Sequence, residues 1–230
     1  MTLEWYELLP LVSYVVLRGR CRSCKAVITP RYFLVEFITG LLFVATVATT
    51  AWVVPVGLML AIMSVLVVIV VYDYYHFIIP DILVLWLLLF ALAWLGYEYL
   101  ISGELAVAGY SLLAAGLASL FFAGLWAVSK GRWLGLGDAK LVFPLALILG
   151  SSQVFSFVVL AFWVGAIVSL IILAWQQLRD RGKQHLRFLA RPLTIKSAVP
   201  FAPFIIASFC LVYFWQIDVL AMVEQMLWYL

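Results

Sequence analysis

The most constraining feature of this chain is where its charge falls. Seven long apolar runs lie at 34–52, 54–72, 80–101, 105–128, 138–151, 153–175 and 199–217, and the cations gather in only three places around them. Arg18, Arg20, Arg22, Lys25 and Arg31 precede the first run. Lys130, Arg132 and Lys140 flank the junction of the fourth and fifth. Arg179, Arg181, Lys183, Arg187, Arg191 and Lys196 fill the connection between the sixth and seventh. Together these are all 14 Lys and Arg residues. A helix that crosses a bilayer takes about 20 mostly apolar residues, so the pattern predicts an all-α polytopic membrane protein with about seven transmembrane helices. Composition agrees: 67% of residues are hydrophobic and 11% charged, too few polar groups to cover a soluble fold, which carries about 25% charged residues. With 3 Cys, 8 Pro and 14 Gly, disulfide scaffolds and collagen-like chains are excluded.

Loops rich in Lys and Arg stay on the cytoplasmic side of a membrane. With seven spans, all three basic groups fall on that side, and the opposite side carries Glu98, Glu104, Asp218 and Glu224. Residues 1–33 then form a short cytoplasmic segment, and 34–230 a transmembrane domain with a basic cytoplasmic loop at 176–198. Met1 to Pro10 is mixed in polarity, with Glu4 and Glu7, and lacks a signal-peptide pattern. Trp52, Tyr72, Tyr97, Tyr99, Trp175 and Trp215 lie near run ends, as interfacial aromatics do. The cations flank apolar spans instead of forming a stripe on a soluble face, which argues against a nucleic-acid partner. The fifth run is short and contains Pro144; irregular backbone at that depth needs protein or a wet cavity around it.

Three acids stand at or inside membrane boundaries: Asp73, Asp81 and Asp138. An ionisable group at mid-membrane costs about 2.5–3.5 kcal/mol on insertion scales and is a functional candidate by default. Asp73 and Asp138 are 65 residues apart, and the third and fourth runs leave one face of the membrane and return to it. The topology thus makes the two carboxylates possible neighbours in one leaflet. Two carboxylates in a partly dry site do not both ionise. One keeps its proton, leaving a general base to activate water and a general acid to protonate a leaving group. Gly135 and Gly137, in G-L-G-D, lack Cβ and let backbone approach an extended substrate. Plainer readings stand beside this one. Asp81 follows Pro80 at the start of a run and reads best as a helix cap. Asp138 can equally cap the fifth run, with Lys140 a boundary cation. His76 reads as an interfacial polar residue.

Other hydrolytic patterns are missing: the sequence contains no H-E-x-x-H and no G-x-S-x-G. Cys21 and Cys24 form C-R-S-C, at most half of a zinc site, since a structural zinc takes four ligands. A reduced thiol pair is the simpler reading.

Three blocks make the chain resemble the prepilin peptidases, or type IV leader peptidases, of the G-x-G-D class of intramembrane aspartyl proteases. They are residues 10–36, from P-L-V-S-Y to F-L-V-E; D-Y-Y-H-F-I-I-P-D at 73–81; and G-L-G-D-A-K-L at 135–141, followed by K-S-A-V-P-F-A-P-F at 196–204. The resemblance implies catalytic aspartates at Asp73 and Asp138. It implies a location in the bacterial inner membrane with the active site at the cytoplasmic face. It also implies cleavage of the basic leader from prepilins or type II secretion pseudopilins, with membrane lipid as the surroundings. Many members also methylate the new N-terminus using S-adenosylmethionine. Typical bacterial members carry a further span and an earlier C-x-x-C before the block at residue 10. On this sequence the expectation is therefore a peptidase that needs no cofactor, with half a zinc motif and weak or missing methylation. The competing class is a proton- or ion-coupled transporter, or a non-catalytic scaffold. Against it, the acids sit at one face, whereas transporter sites lie near the midplane.

Overall fold

The computed structural model describes Glu4 and residues 8–50, 53–181 and 200–228. Among them the regular elements are all helical: α1 (Val12–Val16), α2 (Pro30–Thr49), α3 (Val53–His76), α4 (Asp81–Ser102), α5 (Leu105–Ser129), α6 (Leu136–Leu149), α7 (Val154–Arg181), α8 (Ala202–Trp215) and α9 (Val219–Trp228). Among the described residues, each of the seven apolar runs lies mostly on a helix. Among the described residues, five helices (α2, α3, α4, α5 and the Val154–Trp175 part of α7) are long and apolar enough to cross a membrane, and α8 with α9, bent by 69°, makes a sixth candidate. The all-α polytopic class stands with five to six such spans. Most of the basic loop expected at 176–198, including Lys183, Arg187, Arg191 and Lys196, lies outside the described residues.

The chain divides into two compact units, residues 1–67 and 68–230, with the division inside α3. The boundary expected at 33/34 falls inside α2. In the first unit, Gly19 turns the chain at φ +66°, where an added Cβ would lie 2.9 Å from the Tyr14 hydroxyl. An isolated antiparallel bridge then pairs Arg20 with Val27. Within it, the Cys21 N–H donates to the Ala26 carbonyl at 2.8 Å, and the Lys25 N–H donates to the Cys21 carbonyl at 3.0 Å. Cys21 and Cys24 both lie on this turn. α2 starts with Pro30 at its first position, where the missing N–H costs nothing. Its Glu36 Oε2 accepts the Leu11 N–H at 2.8 Å.

The second unit is organised around α6. This helix has 14 residues, so at 1.5 Å per residue it is about 21 Å long, short of the roughly 30 Å hydrocarbon layer. It packs against α4, α5, α7 and α8. Ten of its residues are buried, among them Leu141, Val142, Pro144 and Leu145. Pro144 lacks an N–H for the carbonyl four residues back, a defect tolerated because protein encloses it. The Ser119 hydroxyl of α5 donates to the Ala139 carbonyl at 2.8 Å. Ser119 stands ten residues before the end of α5 at Ser129, so this contact lies about 15 Å below that end. α8 buries Ala202, Ile205, Ile206, Phe209 and Val212 along one stripe, and the Ser208 hydroxyl donates to the Phe157 carbonyl of α7 at 2.6 Å. Gln216, at φ +51°, ends α8. Asp218 Oδ1 then accepts the N–H of Leu220 at 2.9 Å as α9 begins.

Because α6 is enclosed, its side chains have no lipid to collapse against when shortened. Leu145→Ala, at a fully buried position, should cost about 2–5 kcal/mol of stability. Leu100→Ala, at 82% exposure, should cost far less. Unfolding in detergent, followed by denaturant titration of both variants, checks the contrast.

Candidate active site

Asp73 is delivered by the apolar stripe of α3. Met59, Ile62, Met63, Leu66 and Ile69 are all fully buried. They repeat at the three- and four-residue spacing of one helix face, and the next position on it is Asp73. A carboxylate is thereby carried inward on a face otherwise reserved for core, and Asp73 is only 5% exposed. The Ala202 N–H, at the first residue of α8, hydrogen-bonds the Asp73 carboxylate. Asp73 Oδ2 is buried and has no hydrogen-bond partner among the described residues. The first N–H groups of a helix have no partner within the helix, which is why an α8 start can serve this carboxylate.

Asp138 is held by a second helix start. Gly135 is the residue that caps α6, in extended conformation, and its N–H donates to Asp138 Oδ2 at 3.0 Å. This is the reach-back half of a capping box. Asp138 is 6% exposed. Asp73 lies near enough to Asp138 for the two carboxylates to interact electrostatically, so they share one neighbourhood.

The chain between α3 and α4 packs onto the start of α6. The Phe77 N–H closes the last turn of α3 on the Asp73 carbonyl at 2.8 Å, and Phe77 itself takes φ +54°, an uncommon conformation for a large side chain. Two residues on, Ile79 is buried against Gly137. A Cβ added to Gly137 would come within 3.2 Å of Ile79 Cβ, so glycine permits a close approach here. Lys140 Nζ lies 2.8 Å from Asp81 Oδ1.

That contact changes the reading of Asp81. The cap position of α4 is Pro80, and no side chain caps this helix start. The Asp81 carboxylate, one residue inside the helix, turns to Lys140, and Lys140 is an ion-pair partner where a boundary cation was expected. His76 keeps to its own helix: its ring stacks on Tyr72 with centroids 4.3 Å apart, and its Nδ1 lies 3.2 Å from the Tyr72 carbonyl. Sequence reasoning misses the two N–H donors, of Gly135 and Ala202, because backbone groups carry no residue signature. The nearest signal is Pro203, which favours a helix start at that point.

Cys21 and Cys24 are on the N-terminal turn. Among the described residues, no group of three or more His, Cys, Asp or Glu could hold a metal ion. A cavity of about 120 Å³ in that unit is lined by residues including Tyr14, Cys21, Arg22, Phe33 and Glu36.

Residues 1–50 match the family model of the bacterial peptidase A24 N-terminal domain, and residues 60–170 match that of the type IV leader peptidase family. Among curated proteins, three relatives each bear the name prepilin leader peptidase/N-methyltransferase. The one from Myxococcus xanthus is 32% identical over 74% of this chain and 51% of its own length. The one from Pectobacterium carotovorum is 35% identical over 74% and 60%. The one from Pseudomonas aeruginosa is 36% identical over 73% and 58%. The chain thus spans between half and two thirds of the length of these relatives. No solved structure matches it significantly.

The glycine at 137 should tolerate little. Gly137→Val should force Ile79 or the start of α6 to move, costing about 1–3 kcal/mol by overpacking, and Gly137→Ala should cost less. Thermal unfolding of the two variants beside the unaltered protein in detergent checks the order.

Proposed function

Because the chain belongs to the type IV leader peptidase family, we propose that it is a membrane endopeptidase. It removes the basic leader from prepilins or pseudopilins by hydrolysis at Asp73 and Asp138, at the cytoplasmic face of a bacterial inner membrane. The observation that carries this reading is a pair of buried carboxylates, each tethered by one backbone N–H, near enough to each other to interact electrostatically. A buried, unmatched acceptor such as Asp73 Oδ2 is costly unless chemistry uses it.

The proposed reaction follows from that pair. One carboxylate, ionised, takes a proton from a water molecule as the water oxygen attacks the scissile carbonyl carbon. The other, protonated, hydrogen-bonds the carbonyl oxygen as it gains negative charge. Collapse of the tetrahedral species breaks the C–N bond, a proton passes to the leaving amine, and the pair returns to its starting protonation. Water is consumed, and a carboxyl group and an amine are formed. Gly135 and Ala202 hold the carboxylates in place during the cycle through their N–H groups. A proton- or ion-coupled transporter is the alternative reading of the same two acids.

The names of the relatives add N-methylation, which uses S-adenosylmethionine. The cavity in the N-terminal unit, about 120 Å³, is below the roughly 300 Å³ at which ligand pockets begin. The reaction proposed for the two carboxylates is hydrolysis.

Asp73→Asn and Asp138→Asn should each lower cleavage by at least about 10²-fold, because the amide preserves shape and cannot exchange a proton. The measurement is mass spectrometry of a prepilin N-terminus after incubation with each purified variant. Near-normal turnover by either variant would sink the aspartyl-pair mechanism. The rate should also rise and then fall with pH, with two apparent ionisations that belong to the pair. At low pH both carboxyls are protonated and the base is lost. At high pH both are ionised and the acid is lost. A flat profile from roughly pH 4 to pH 9 would contradict it.

A further inference from the structure

The segment linking α3 to α4 meets α6 at two points in register. Ile79 lies against Gly137, and Asp81 pairs with Lys140 at 2.8 Å. On the α6 side these are positions three apart, which fall on one helix face. On the other side they are positions two apart around Pro80, whose backbone is extended (φ −64°, ψ 127°), and alternate residues of an extended chain point the same way. The two repeats match, so the contacts close together like a two-tooth clasp. Asp138 stands between the two α6 positions. Asp73 stands in the last turn of α3, just before the connecting segment, and its carbonyl accepts the Phe77 N–H.

We infer that the Asp81–Lys140 ion pair is a positioning device that sets Asp138 in register with Asp73. The inference rests on the aspartyl-pair reading for its effect on rate, and on geometry alone for its effect on alignment. The apolar tooth, Ile79 on Gly137, fixes distance but resists sliding weakly, because dispersion contacts have little directional preference. The charged tooth supplies direction. Asp81 is 77% exposed and Lys140 46% exposed, and an ion pair this open adds little to stability. Its consequence is therefore felt in alignment: small displacements of catalytic groups cost rate steeply. Neither residue needs to touch substrate for this effect.

Two arms test it. In the first, Asp81→Asn and Lys140→Gln should each lower kcat for prepilin cleavage about tenfold, with KM little changed and the unfolding temperature within a degree or two of the unaltered protein. The exchange D81K/K140D should recover most of the loss. In the second, which needs no activity, Cys21, Cys24 and Cys210 are replaced by serine, and Asp73→Cys and Asp138→Cys are introduced. Oxidative cross-linking between the two new thiols is then timed. Adding Asp81→Asn should slow it several-fold, and adding the charge exchange should restore it. Unchanged cross-linking in the Asp81→Asn background would overturn the inference whatever the protein cleaves. So would singles that lower the unfolding temperature and kcat together without recovery in the exchange. Altered cross-linking in a protein that cleaves no prepilin would keep the clasp and remove the peptidase reading.

Discussion

Two carboxylates taken out of water must find N–H donors, and much of the second unit is arranged to supply them. In a helix bundle nearly every backbone N–H is already bonded, and the spare ones are at helix starts. Asp73 uses the start of α8 and Asp138 the start of α6. Both starts also carry the positive end of a helix dipole, which favours a carboxylate. Each helix must therefore begin inside the bundle. That requirement explains the broken backbone around Gly135, the extended capping residue there, and the proline near the beginning of α8.

The same requirement divides the work between apolar and polar contacts. The buried stripe of α3 points Asp73 inward, the Ser119 hydroxyl pins α6 against α5, and the tight seat of Gly137 on Ile79 brings the two loops together. None of these touches the chemistry. Each limits where a carboxylate can lie.

Much of this was legible in the residues. Long apolar runs announce helices, and the described part of each run lies mostly on one. The acids stand out because little else in the runs is charged, and the G-L-G-D and D-Y-Y-H-F-I-I-P-D blocks single out the positions that the structure sets in one neighbourhood. The rest depends on contacts that hydropathy does not encode. Asp81 looked like a cap because it follows Pro80, yet its partner is Lys140, 59 residues away. The fifth run looked like a short span, and only packing against four neighbouring helices reveals an enclosed helix. The bend of 69° between α8 and α9 turns on Gln216 in a left-handed conformation, which no apolar pattern signals.

The enclosure of α6 also bears on how the protein meets bilayers of different thickness. A lipid-facing helix shorter than the hydrocarbon layer must draw the membrane thinner, tilt its neighbours or shift its own height. α6 has protein on its sides, so the lipid exerts no such pull on it. Its height is set by the register of Ala139 against Ser119, a contact between two parts of the same unit. Acyl-chain length can then move the outer helices up or down as a body, while the carboxylate on α6 keeps its depth relative to α5.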